Sequence, residues 1–170
     1  GIPEITQNGT DLTIVSYGST FNLCEVAGKT LEEMGISVEL IDVQTLLPFD
    51  IHHVIAKSLE KTNRLLIVDE DVSSGATAFM LDKILVEQKA YNFLDSAPET
   101  LSAKDHRQAY GSDGDYFSKP SIDDIVEKAY GLLTEENPIK FPKLFFLVTN
   151  RVDIIEKPTF NIEKIPKGNL

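Results

Sequence analysis

Three adjacent carboxylates, Asp69, Glu70 and Asp71, follow a short apolar run and are the first residues whose types suggest chemistry. Carboxylates at the end of a buried strand can bind a divalent metal or act as a general base. Successive side chains of an extended chain point in different directions, so the three cannot all converge on one ion. We therefore favour a position at the N-terminus of the helix that follows, where the helix dipole and free amides stabilise negative charge.

Small polar residues follow two predicted strands and suggest a different chemistry, the binding of an anion. The two segments are Gly18-Ser19-Thr20 and Ser73-Ser74-Gly75. Free N–H groups at the start of a helix bind anions. Neither segment contains a GxGxxG or P-loop pattern, so the sequence carries no signature of nucleotide binding.

A long polar segment over residues 104–119 carries the other candidates. They are Asp105, His106, Arg107, Asp113 and Asp115. A histidine beside carboxylates can act as an acid or a base, whereas an ion pair between Arg107 and an aspartate would only order the loop. We favour loop ordering or an interface. A calcium loop is excluded because it needs more ligands at fixed spacing and a closing glutamate.

Two further histidines, His52 and His53, are adjacent, so they point in different directions from a helical first turn. The spacing of four that zinc proteases use is absent. We interpret both as solvated or half-buried side chains.

Overall composition excludes several classes of protein. A net charge of −11 and a pI near 4.6 argue against a nucleic-acid partner. The single cysteine, Cys24, rules out an internal disulfide framework and is expected in the core of the first helix. The longest apolar run, residues 144–148, is too short to cross a membrane, and no signal peptide opens the chain. These features predict a cytoplasmic protein without a membrane partner.

The elements that must position the candidate residues alternate along the chain. Apolar periodicity predicts strands over residues 11–17, 38–46, 65–68 and 99–103. It predicts four helices between and after them. The first is capped by Ser19 or Thr20 and ends at Gly35, and the second begins at Pro48 and Asp50. The third runs from Ala76 to Lys89, and the fourth begins with a capping box of Ser121 and Asp124. This alternation predicts an α/β fold with helices on both faces of a largely parallel sheet.

Residues after Asn137 differ from the rest of the chain in charge. They contain four prolines and six basic against three acidic side chains, a net charge of +3, which leaves −14 for residues 1–136. A basic tail on an acidic body can lie against that body or a neighbour, or it can be a loosely held extension.

Five segments, in order, resemble the C-terminal domain of the transketolase family, and more closely the β part of the E1 component of 2-oxo acid dehydrogenases. They are GTDLTIVSYGS (Gly9–Ser19), GISVELIDVQTLLPFD (Gly35–Asp50), KTNRLLIVDED (Lys61–Asp71), SSGATAFMLDKILVEQ (Ser73–Gln88) and AKDHRQAYGSDGDYFSKPSIDDI (Ala103–Ile125). The last is similar to E1 proteins with fused α and β parts. Asp69 stands where the family commonly has histidine.

The resemblance implies a three-layer αβα sandwich around a mostly parallel, about five-stranded sheet. It implies a linker remnant over residues 1–8, a domain over residues 9–135 and a Pro-containing basic tail over residues 136–170. In this family thiamine diphosphate and Mg²⁺ are held by two other domains, one through a Gly-Asp-Gly motif. Asp113-Gly114-Asp115 does not match that motif. We therefore expect no catalytic, cofactor-binding or metal-binding residue in this chain.

The function implied is dimerisation and docking. The expected partners are the remaining E1 domains, a second copy of E1 and the E2 acyltransferase core. The parent enzyme would act on a branched-chain 2-oxo acid, such as 2-oxoisovalerate, or on pyruvate. Two alternatives remain: the C-terminal domain of a transketolase or deoxyxylulose-phosphate synthase, and a stand-alone regulatory module that binds an anion.

Overall fold

The computed structural model describes residues 1–106 and 114–142. Its strands are β1 (Glu4–Gln7), β2 (Leu12–Ser16), β3 (Val38–Asp42), β4 (Leu65–Val68) and β5 (Glu99–Leu101). Its α-helices are α1 (Gly18–Glu33), α2 (Val54–Thr62), α3 (Ala76–Leu81), α4 (Gly114–Ser118) and α5 (Ile122–Glu136). A π-helix (Asp82–Glu87) continues α3, and a 3-10 helix (Ala90–Phe93) follows it. None of the helices in the described part of the chain is long and apolar enough to cross a membrane.

The five strands form one sheet in the order β1-β3-β2-β4-β5. Strand β2 pairs in parallel with both β3 and β4, and β4 pairs in parallel with β5, whereas β1 runs antiparallel to β3. A mixed, mostly parallel sheet of five strands confirms the predicted α/β class.

Helices cover both faces of this sheet. Side chains alternate across a strand, so Leu12 and Ile14 of β2 pack beneath α1 and α5, while Val15 faces α2 and α3. Cys24 is buried on the α1 side, as predicted. These two cores make the three layers expected from the sequence.

Two polar residues interrupt the otherwise apolar face under α2. The hydroxyl of Thr13 lies 2.6 Å from the hydroxyls of both Ser58 and Thr62. Glu39, almost fully buried, forms an ion pair with Lys61 of α2. A buried polar group is costly unless it is hydrogen-bonded, so these contacts require α2 to lie across β2 and β3.

Burial alone would raise the pKa of Glu39, but the hydrogen bonds it accepts from Lys61, Ser58 and the Gly9 amide lower it overall. Gly9 lies so close to β3 that a Cβ there would be 2.1 Å from the Val38 carbonyl carbon. Position 9, in the turn before β2, therefore accepts only glycine.

Several predicted boundaries need correction. Residues 4–7 are strand β1 at the sheet edge, although residues 1–8 were expected to be a linker. The second predicted strand ends at Asp42 instead of residue 46. Part of the predicted 104–119 loop is helix α4. An edge strand of four residues with three exposed side chains carries too little apolar pattern to be recognised.

The predicted helix starts were correct for α3 and α5 and wrong for α1 and α2. The capping box is confirmed, because the Asp124 amide donates to the Ser121 hydroxyl and the Ser121 amide donates to Asp124. Helix α1 has no side-chain cap from Ser19 or Thr20, since it begins at Gly18.

Helix α2 begins four residues after Asp50, yet the Asp50 carboxylate still stabilises its start. Oδ1 accepts from the Val54 amide (2.8 Å) and Oδ2 from the Ile55 amide (2.9 Å). Gln88, after the π-helix, also donates to Asp50 Oδ2 at 3.2 Å. Asp50 therefore joins the β3–α2 loop to two helical segments.

The Asp50→Ala variant should lower the free energy of unfolding by about 2 kcal/mol, because a cap is lost and buried amides lose their acceptor. Urea denaturation would measure this change. Asp50→Asn, which keeps one carbonyl acceptor, should lose less. Equal unfolding midpoints for wild type and Asp50→Ala would contradict this role.

The first residues of the predicted tail belong to the packed domain. Phe141 is 7% exposed and meets Tyr130 of α5 edge to face, with ring centroids 6.1 Å apart. The Tyr130 hydroxyl donates to the Pro142 carbonyl at 3.0 Å. Lys140 lies 3.7 Å from Asp11, at the start of β2. The rest of the predicted tail lies outside the described residues.

Phe141→Ala should destabilise the protein by about 3 kcal/mol, as expected for removing a buried aromatic ring. Ile139→Ala is the matched control, because Ile139 is 93% exposed two residues earlier. Thermal and urea unfolding of both variants would measure the difference. Similar midpoints for the two variants would show that residues 138–142 do not contribute to the core.

Candidate functional site

The carboxyl ends of β2 and β4 meet at one edge of the sheet, and their loops line a pocket of about 340 Å³. Such edges are where open α/β sheets bind ligands. The lining residues are Tyr17, Gly18, Ser19, Thr20, Asp69, Glu70, Asp71 and Lys119. The structure thus brings the predicted candidates Ser19, Thr20 and Glu70 together.

Tyr17 and Asp69 form the buried side of this pocket. The Tyr17 hydroxyl donates to Asp69 Oδ2 at 3.1 Å, and Asp69 is only 3% exposed. Burial raises the pKa of Asp69, an effect that the hydrogen bond from Tyr17 opposes. Burial and the neighbouring Asp69 charge raise the pKa of Tyr17 to about 12. Tyr17 therefore stays protonated at neutral pH and serves as a donor.

Glu70 forms the exposed side and joins three segments of the chain. Its Oε1 accepts from the Ser19 hydroxyl at 3.2 Å, and its Oε2 lies 3.0 Å from Lys119 Nζ. An exposed ion pair contributes little stability on its own. The contacts of Glu70 show that the start of α1, the end of β4 and the segment before α5 meet at this pocket.

Two of the three carboxylates, Asp69 and Glu70, do not lie at the start of the following helix, where the sequence analysis predicted them. Asp69 and Glu70 contact residues at the start of α1, not the helix that follows them, because β4 lies beside β2 in the sheet. Asp71 accepts from the Val72 amide, and its Oδ2 lies beside Gly75, the N-cap of α3, as predicted. Among the described residues, no group of three or more His, Cys, Asp or Glu side chains could hold a metal.

The charges around the pocket disfavour an anion. Three carboxylates and one ammonium group line it, so its net charge is negative. Ser73 and Ser74 are exposed and lie outside the set of lining residues. The anion-binding alternative stays a prediction that the geometry does not favour.

The remaining candidates lie elsewhere. Asp105 and His106 follow β5 and are exposed, and the His106 amide donates to the Lys104 carbonyl. Arg107 and Asp113 lie outside the described residues. Asp115 is in α4.

His52 and His53 are both exposed before α2. His53 has left-handed backbone angles, so the two do not form a helical first turn.

Sequence reasoning missed two pocket residues, Tyr17 and Lys119. Tyr17 had a usable signal, since it is the last residue of a predicted strand and therefore had to lie at the carboxyl edge. Lys119 had no such signal in the sequence, because its contact with Glu70 forms only when the chain folds.

Comparison with known proteins accounts for this architecture. Residues 1–135 match the family described as Transketolase, C-terminal domain. The chain belongs to the transketolase C-terminal domain family. The match begins at residue 1, in agreement with the place of β1 in the sheet.

Relatives of this transketolase C-terminal domain include subunits of pyruvate dehydrogenase, as the sequence resemblance predicted. The pyruvate dehydrogenase E1 component subunit beta of Mesostigma viride is 34% identical over 134 residues, which are 78% of this chain and 40% of that protein. The subunit of the same name from Acholeplasma laidlawii is 37% identical over 105 residues, 62% of this chain and 32% of that protein. The chain thus spans less than half the length of these relatives.

A solved structure described as a split gene transketolase, inactive beta4 tetramer, is similar in fold, with a TM-score of 0.65. The alignment covers 79% of this chain and 43% of that chain at 21% identity.

The Tyr17→Phe variant should raise the pKa of Asp69 further, because the carboxylate loses a hydrogen bond that favours its charged form. Since the folded pKa already exceeds the unfolded one, ionisation of Asp69 costs stability as pH rises through the folded pKa. That loss should be larger in the variant. NMR titration of the carboxyl carbons would measure the shift.

Ser19→Ala is the control for this titration, because the Ser19 hydroxyl contacts Glu70 instead of Asp69. A pKa of Asp69 that is lowered or unmoved by Tyr17→Phe would refute the role given to the tyrosine hydroxyl.

Proposed function

We propose that this chain is the non-catalytic C-terminal domain of a thiamine-diphosphate-dependent 2-oxo acid dehydrogenase E1 component. Its role is assembly: contact with the remaining E1 domains, with a second copy of E1 and with the E2 acyltransferase core. The observation that carries the proposal is the family match over residues 1–135 together with relatives named pyruvate dehydrogenase E1 component subunit beta.

The pocket at the carboxyl edge supports the non-catalytic part of this proposal. A diphosphate needs cationic or N–H donors, whereas Asp69, Glu70 and Asp71 present carboxylates that would repel it. The residues present therefore do not fit thiamine diphosphate. We place that cofactor and its Mg²⁺ in other domains of the parent enzyme, and we assign no reaction step to this chain.

The parent enzyme would be an oxidoreductase that decarboxylates a 2-oxo acid and passes the acyl group to lipoyl-E2. The names of the relatives favour pyruvate over a branched-chain 2-oxo acid. They also favour an E1 component over a transketolase or deoxyxylulose-phosphate synthase. A reducing, cytoplasmic location fits the single buried cysteine, Cys24.

The proposal predicts saturable binding of this chain to the purified E2 acyltransferase core of a pyruvate dehydrogenase complex, measured by calorimetry. The same instrument should detect no binding of thiamine diphosphate in the presence of Mg²⁺. Micromolar affinity for thiamine diphosphate would overturn the non-catalytic assignment. The absence of E2 binding would overturn the docking role.

A further inference from the structure

The pocket at the carboxyl edge of the sheet has two sides of opposite chemistry. On one side, β4 runs into the carboxylates of residues 69–71, which are hydrogen-bond acceptors. On the other side is the start of α1, where residues 18–20 present hydrogen-bond donors. A ligand that satisfies both sides carries a cationic group for the first and a negatively charged acceptor for the second.

The donor side consists of backbone amides at the N-terminus of a long helix. Helix α1 has 16 residues and no side-chain cap, and the amides of residues 18–20 donate to no acceptor in the described part of the chain. Free amides at this end of a helix, together with its dipole, attract a carboxylate. Gly18 has a φ of +62°, and a Cβ there would meet nothing within 4 Å, so the backbone here borders open space.

A buried hydroxyl without a partner also faces the pocket. Thr20 lines the pocket and is 2% exposed, yet its hydroxyl forms no hydrogen bond with any of the described residues. It lies one helical turn before Cys24, on the face of α1 that packs against the sheet, so its side chain points toward the strand ends. Because a buried polar group is costly unless it is hydrogen-bonded, a ligand that bonds to Thr20 would remove this cost.

The acceptor side has lone pairs and charge left for a cation. Each carboxylate oxygen can accept two hydrogen bonds, and Asp69 Oδ2 accepts from the Tyr17 hydroxyl. Lys119 pairs with Glu70, which leaves two of the three lining carboxylates to give the pocket a net negative charge. Burial raises the pKa of Asp69, so the charged form of this carboxylate would gain from a nearby ammonium group.

We propose that this pocket binds a free α-amino acid in its zwitterionic form. The ammonium group binds Asp69 and Asp71, and the carboxylate accepts from the first amides of α1 and from the Thr20 hydroxyl. The cavity, about 340 Å³, lies at the small end of ligand-binding sites, so it suits a ligand of this size. A zwitterion has no net charge and therefore avoids the repulsion that the carboxylates exert on a phosphate. The site goes beyond the assembly role and does not depend on it.

Titration of the full chain with L-alanine, followed through amide chemical shifts in NMR spectra, would test this proposal. The shifts of the Gly18, Ser19 and Thr20 amides should saturate, with a Kd of about 1 mM or lower. Propionate and ethylamine are the matched ligands, because each keeps only one of the two charged groups of alanine. Each should bind at least about tenfold more weakly than alanine, since one side of the pocket stays unsatisfied.

Two substitutions test the two sides of the pocket separately. Thr20→Val removes the hydroxyl and keeps the shape of the side chain, so it should weaken alanine binding by about threefold or more. Asp71→Asn removes one carboxylate charge at an exposed position and should weaken binding by a similar factor. Glu60→Gln is the matched control, because it makes the same charge change at an exposed position near the end of α2, which leads into the opposite end of β4. Urea denaturation would confirm that each variant is folded.

The titration of Asp69 shows whether the ligand lies in the pocket. The ammonium group of bound alanine should lower the pKa of Asp69, because a nearby positive charge favours the carboxylate. The NMR signal of the Asp69 carboxyl carbon would measure this shift with and without saturating alanine. An unmoved pKa would contradict the placement of the ammonium group.

Four other results would overturn the proposal. Two concern the ligand: L-alanine that fails to saturate the amide shifts, and propionate or ethylamine that binds as tightly as alanine. The other two concern the variants: alanine binding that Thr20→Val leaves unchanged, and a loss of binding in Glu60→Gln as large as that in Asp71→Asn.

Discussion

The central constraint on this fold is that two polar side chains lie on a sheet face that is otherwise apolar. Thr13 and Glu39 are on neighbouring central strands, and both are removed from water. Most of their hydrogen-bond partners come from α2, through Ser58, Thr62 and Lys61. The Gly9 amide also donates to Glu39. Hydrophobic contacts have no preferred direction, so they alone would let α2 shift along the sheet. The hydrogen bonds are satisfied only when α2 has one position over β2 and β3. The Asp50 carboxylate then determines where the same helix begins.

The order of the strands explains the electrostatics of the carboxyl edge. Because β4 lies beside β2, the acidic end of one strand meets the start of the helix that follows the other. Asp69 then finds a hydroxyl donor in Tyr17, and Glu70 finds Ser19 and Lys119. The outcome is a negatively charged pocket in a domain whose relatives include pyruvate dehydrogenase E1 component beta subunits. The contacts of Glu70 in this pocket join three segments of the domain.

The parts of the structure that depend on periodic patterns could be predicted from sequence, and those that depend on spatial neighbours could not. Runs such as Leu65–Val68, and the paired Ser121 and Asp124, carry local signals that the fold retains. Strand β1 forms because its backbone pairs with β3, and its own side chains are mostly exposed. Gln88 reaches Asp50 across 38 residues. No pattern within one segment encodes such a contact, because it arises only when the layers pack.

Helix α5 connects two ends of the sheet. It spans about 22 Å at 15 residues. The segment before it is joined to Glu70 at the carboxyl end of β4, and the segment after it is joined to Asp11 at the start of β2. Helix α5 therefore connects the carboxyl end of β4 with the start of β2 on the face of the sheet that it covers. Packed against α1 along its length, α5 fixes the distance between these two ends of the sheet.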